Sequence, residues 1–154
     1  MGRGAMNLLA QAWLLGGSLV AAVYDVRERR VPNTVIVALL AAWPLFGIGQ
    51  PKGWWARGLW GLALAVVPLL VLALAAGLGM GDVKLGAAVG LYLGPDQGLF
   101  ALATAAVLGG AVHAVLVLVR RRTWTGSGSE MPVAPFVALG AFGGITGGHF
   151  LGRV

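Results

Sequence analysis

Charge in this chain is confined to short clusters, and between them lie uncharged runs at residues 4–24, 31–51, 58–81, 97–119 and 131–152. A helix that spans a bilayer needs about 20 consecutive, mostly apolar residues, so each of these runs is long enough to be one. A further stretch between Lys84 and Asp96 has only 11 residues, about 17 Å of helix at 1.5 Å per residue. The hydrocarbon core is about 30 Å thick, so to cross at all this helix must begin inside the membrane boundary. With 58% hydrophobic and 10% charged residues, 154 residues are too apolar for a soluble domain. The sequence predicts an all-α integral membrane protein, six transmembrane helices forming a single domain over residues 1–154.

The formal net charge of +6 does not point to nucleic acid, because basic residues in such a chain mark cytoplasmic loops and lipid headgroups. Membrane lipids are the expected contact. The absence of cysteine excludes disulfides, a thiol nucleophile and a cysteine-ligated metal. His113 and His149 sit in different runs without the paired spacing of a zinc motif, so no metal or cofactor is expected.

Residues 1–24 have the basic start, apolar stretch and small Ala21 and Ala22 of a signal peptide, but the run is long enough to span and is read as a retained helix. Tyr24 to Asn33 forms the first charged loop, in which Pro32 disfavours helix at Val31 and Asn33 or Thr34 caps the second helix. Pro44 predicts a kink. Residues 50–57 read as a turn whose adjacent Trp54 and Trp55 lie at a headgroup boundary. Thr123 to Glu130 is a polar loop, and Pro132 and Pro135 open the last span. Gly86, Gly90 and Gly94, and Gly140, Gly144, Gly148 and Gly152, recur every fourth residue. Such ridges let helix backbones approach closely.

Gly79-Met80-Gly81-Asp82-Val83-Lys84 sets a carboxylate at the junction of two apolar stretches. A carboxylate in a spanning segment is costly and calls for a functional explanation. Of the five acidic residues, Asp96 falls in a turn at the other side, Glu130 in the polar loop, and Glu28 among arginines. Asp25 and Asp82 remain, both at helix ends. Two carboxylates on one site can divide labour, one protonated and one ionised. The ionised member takes a proton from water and the protonated one polarises a peptide carbonyl. The alternative is that each aspartate caps a helix or pairs with Arg27 or Lys84, and pattern alone leaves both open. Ser127 and Ser129 lie in a hydrophilic loop without a neighbouring histidine. Lys84 reaches either headgroups or substrate.

With six spans, Asp25, Asp82 and the Arg120 cluster fall on one side. That side carries Arg27, Arg29, Arg30, Lys84, Arg120, Arg121 and Arg122, against Arg3, Lys52, Arg57 and Arg153 on the other. The positive-inside rule then puts the aspartates at the cytoplasmic face and both termini outside.

These residues carry a family resemblance. GMGDVKLGAAVGLYLG at 79–94, YDVRERRVPN at 24–33 and MPVAPFVALGA at 131–141 occur in the order found in the type IV prepilin peptidases, membrane aspartyl proteases with a Gly-x-Gly-Asp motif, which the chain resembles over nearly its whole length. The resemblance implies that Asp25 and Asp82 are the catalytic pair. It also implies a bacterial inner-membrane enzyme that cleaves the basic leader from prepilins or pilin-like proteins at the cytoplasmic face. Gly79 and Gly81 would let the substrate backbone reach Asp82, with Arg27, Pro32, Asn33, Lys84, Pro132 and Pro135 supporting the site or contacting substrate. Longer members carry an N-terminal cysteine-containing segment and methylate the new pilin N-terminus. This sequence resembles the short forms serving tight-adherence (Flp-type) pili, which implies peptidase activity alone. Archaeal preflagellin peptidases are close cousins. Outside that resemblance, a small proton-coupled transporter and a structural membrane subunit packed through glycine ridges are the competing readings.

Overall fold

The computed structural model describes residues 3–28, 31–76, 79–119 and 134–151. Five helical elements follow one another: α1 (Arg3–Glu28), α2 (Asn33–Phe46), α3 (Lys52–Ala76), α4 (Met80–Val119) and α5 (Ala134–Leu151). Three helical stretches among the described residues, in α1, α3 and α4, are long and apolar enough to cross a membrane. Those in α2 and α5 are shorter apolar helices.

The expected break between a fourth and a fifth span is present as a bend inside one element. Gly94 has φ 78 and ψ −174, which only glycine adopts without strain, and Pro95 follows it. The limbs on either side, 80–93 and 95–119, fold back on each other. Gly98 lies against Gly90, and one turn further along each limb Leu102 lies against Gly86. The chain therefore reverses direction at Gly94 without a loop.

The same stepping of contacts fixes the other directions. Gly58 meets Leu91 and Leu69 meets Gly86, so α3 runs antiparallel to the first limb. Gly144 meets Gln97 and Gly140 meets Ala101, so α5 runs antiparallel to the second. Gln50 Nε2 donates to Asn7 Oδ1 at 3.1 Å and Gly17 packs on Leu39, so α1 and α2 are antiparallel. Tyr92 donates its hydroxyl to the Leu39 carbonyl at 2.7 Å while Val31 meets Gly81, so α2 and the first limb run parallel. Each helix thus reverses the one before it.

The shortest apolar run is the centre of this bundle. Residues 85–91 of the first limb are all buried, and Leu85, Ala88, Val89 and Leu93 join Leu14, Ala21, Ile36, Leu39, Ala101, Val137 and Ala141 in the core. A helix apolar all round is one enclosed by neighbours, which explains why so short a run suffices. By contrast α3 leaves Leu59, Trp60, Val67, Val71 and Leu74 exposed, a surface suited to hydrocarbon rather than water. Ala21, half of the candidate cleavage site, is fully buried in the core.

Several local expectations are corrected. The second run yields a helix of 14 residues that continues past Pro44 to Phe46, and Gly49 with φ 77 carries the turn that follows. Residues 52–57 are helix, not turn. Trp54 stacks on Trp43 with ring centroids 4.9 Å apart, and Trp55 meets the edge of both, so aromatic packing draws the start of α3 into the bundle. The cap of α2 is Pro32, with no side-chain cap hydrogen bond, and Val35 N–H donates to the Pro32 carbonyl. The polar loop at 123–130, the Arg120 cluster and Pro132 lie outside the described residues.

Candidate active site

Asp25 belongs to the buried stripe of α1. Ala10, Leu14, Ser18, Ala21 and Asp25 recur at helical spacing, and all are enclosed while Tyr24 and Val26 are exposed. Asp25 is 8% exposed and occupies the last turn of α1. A helix C-terminus carries partial negative charge, so a carboxylate is disfavoured there and a cation favoured. Arg27, in the same turn and exposed, has the sign the helix end prefers. Capping of its own helix therefore does not account for Asp25.

Asp82 is placed in the opposite way. It lies in the first turn of α4, where a negative charge is favoured, and its N–H donates to the Gly79 carbonyl at 3.0 Å. Its carboxylate bends back over Gly79: a Cβ there would lie 3.2 Å from Asp82 Oδ2. A side chain at 79 would therefore press on the half-buried Asp82 carboxylate.

The two acids share one end of the bundle. Stepping along α1 and α2 from Gly17 against Leu39 brings Asp25 level with residues 31–33. Val31 lies against Gly81, and Lys84 Nζ donates to Asn33 Oδ1 at 3.0 Å. The start of α2 therefore bridges the end of α1 and the start of α4. Two carboxylates at one end, one buried and one half-buried, are able to hold different protonation states.

The supporting residues take up specific positions. The space Gly81 leaves is filled by Val31, with Val31 Cβ at 3.3 Å from where a Gly81 Cβ would be. Asn33, the first residue of α2, serves Lys84 rather than capping its own helix. Pro135 sits in the first turn of α5, a tolerated place because the N–H it lacks would have no helical partner. Val31 escaped the sequence reading; its only signal was the proline after it.

Asp96 lies at the other end, where Arg57 Nη2 pairs with its Oδ2 at 3.2 Å. Among the described residues no group of three or more His, Cys, Asp or Glu is placed to hold a metal.

Residues 12–114, more than half of the chain and spanning both aspartates, match the type IV leader peptidase family. The chain belongs to this family. It is also similar to the prepilin leader peptidase/N-methyltransferase of Bacillus subtilis (strain 168), at 29% identity over 125 residues, 80% of this chain and 49% of that relative. The chain thus spans about half the length of that curated relative. No solved structure matches. Its three helical stretches long and apolar enough to cross a bilayer suit a membrane protein of this family.

Proposed function

We propose that this chain is an aspartic endopeptidase that removes the leader peptide of prepilins or pilin-like proteins, with Asp25 and Asp82 as its catalytic pair. The observation that carries the reading is the burial of Asp25 in the last turn of α1, at the same end of the bundle as the acid of the Gly-Met-Gly-Asp segment. A buried carboxylate at one end of a bundle with a second acid is a candidate catalytic group. The family match and the similarity to the Bacillus subtilis prepilin leader peptidase/N-methyltransferase support the substrate class.

In this mechanism the ionised member of the pair takes a proton from a water molecule, whose oxygen attacks the scissile carbonyl carbon. The protonated member donates a hydrogen bond to the carbonyl oxygen and stabilises the developing negative charge. Collapse breaks the C–N bond as the leaving nitrogen accepts a proton from a carboxyl group. The pair titrates as a unit, so the two roles belong to the pair. The reading covers hydrolysis alone.

Counting the two limbs of α4 separately gives six crossings, supported by the reversal of each helix against the last. The distribution of basic residues along the sequence, counted over six crossings, supports a cytoplasmic site with both termini outside, in the bacterial inner membrane. A proton-coupled transporter would carry such acids near mid-membrane; here they lie at the end of the bundle.

The experiment is cleavage of a prepilin in liposomes by the native chain, Asp25→Asn and Asp82→Asn. Loss of cleavage in both folded variants is the expected result. Native-level cleavage by either one removes that residue from the chemistry, and a native chain that cleaves no prepilin overturns the substrate assignment.

A further inference from the structure

The start of α4 is held to the start of α2 by two contacts on one helical face. Gly81 and Lys84 are three residues apart and so lie side by side on α4; Val31 seats against the first, and Asn33 Oδ1 accepts from the second at 3.0 Å. Asp82 follows Gly81 by one residue, about 100° around the helix. Fixing the 81/84 face on α2 therefore fixes the direction in which Asp82 leaves the helix.

Helix stability does not explain the choice of a lysine. Its ammonium is bound at the first residue of α2, the positive end of that helix, where a cation is disfavoured. The position is favoured instead by the amide oxygen of Asn33 and by the negative charge that Asp25 and Asp82 bring to the same end.

We propose that Lys84 is a positioning residue: with Asn33, Val31 and Gly81 it forms a clamp that sets Asp82 relative to Asp25, rather than anchoring the chain to lipid or binding substrate. The inference deepens the catalytic-pair reading and rests on it. The clamp itself has a geometric readout that needs no activity.

Two measurements test it together. The chain has no cysteine, so Val26→Cys and Met80→Cys, both at exposed positions, allow spin labels at the end of α1 and the start of α4. Lys84→Met and Asn33→Leu should each broaden the distance distribution between the labels, and Lys84→Arg should preserve it. In prepilin cleavage, each clamp-breaking variant should lower kcat about tenfold with KM unchanged, since misplacing a catalytic group costs rate without costing binding. Lys84→Arg should restore most of the rate, and the Lys84→Met/Asn33→Leu double variant should be no worse than the poorer single one. A raised KM at native kcat would overturn the proposal in favour of a substrate contact. Native kcat with an unchanged distribution would overturn it in favour of a lipid anchor. If the native chain cleaves no prepilin, the catalytic reading fails on its own, and an unbroadened distribution in Asn33→Leu or Lys84→Met is what sinks the clamp.

Discussion

Gly61 of α3 and Gly90 of the first limb of α4 cross backbone to backbone: a Cβ added to either would collide with the carbonyl oxygen of the other. The central limb is enclosed because α3 comes this close, and the crossing lies near the Gly94 bend, where Arg57 and Gly61 of α3 also meet Gly94. Small-residue contacts of this kind replace the hydrophobic drive that helices lose inside lipid.

The first prediction follows from that crossing. Gly61→Ala and Gly90→Ala should each cost at least about 2 kcal/mol, because a backbone atom rather than a movable side chain meets the new methyl. Gly16, exposed on α1 with nothing within 4 Å of its virtual Cβ, is the control. Gly16→Ala should be neutral or gain about 0.5 kcal/mol from reduced backbone entropy. Thermal unfolding in detergent separates the two classes, and equal behaviour of all three would mean the crossing is looser than described.

Gly94 supplies a second prediction through conformation rather than space. Its virtual Cβ has only ordinary contacts, the nearest Arg57 Nε at 3.6 Å, so a methyl fits. The backbone angles, φ 78 and ψ −174, do not suit it. Gly94→Ala should cost about 1–3 kcal/mol. Unfolding measurements check this, and an unchanged midpoint would mean the chain reverses by other angles.

How much of this could be read beforehand differs by position. The uncharged runs announced the long helices, and counting them placed Asp25 and Asp82 at one end, because charge placement is a one-dimensional property. The charge at Asp96 signals a break, but Gly94 reads from its spacing as part of a packing ridge, and that it bends one element rather than packing within it is set by its backbone angles. Trp54 and Trp55 were assigned to a turn because their partner, Trp43, lies far off in sequence and only packing brings it near. Asn33 was read as a cap for the same reason: its preference for Lys84 is set across two helices, beyond any local pattern.

The Arg57–Asp96 pair yields a prediction of small effect. The two side chains are 62% and 81% exposed, so water screens their attraction. Asp96→Asn should change stability by less than about 1 kcal/mol and leave prepilin cleavage at the native rate, the difference shrinking further at high salt. A large loss of cleavage would instead tie the far end of the bundle to the chemistry.

The two aspartates should separate by the sign of their effect on stability, even though neither substitution should leave activity. Asp25 is buried, and Asp25→Asn keeps the side chain's size and its hydrogen-bonding capacity while removing the cost of burying a charge; the unfolding temperature should hold or rise. Asp82 is in a first turn, where its charge contributes about 0.3–1 kcal/mol. Asp82→Asn should lose a similar amount. Paired unfolding and cleavage measurements on the two variants decide the matter. Loss of cleavage without loss of stability at Asp25 is the signature of a residue kept for chemistry at the expense of the fold, whereas a marked destabilisation by Asp25→Asn would make that carboxylate part of the framework.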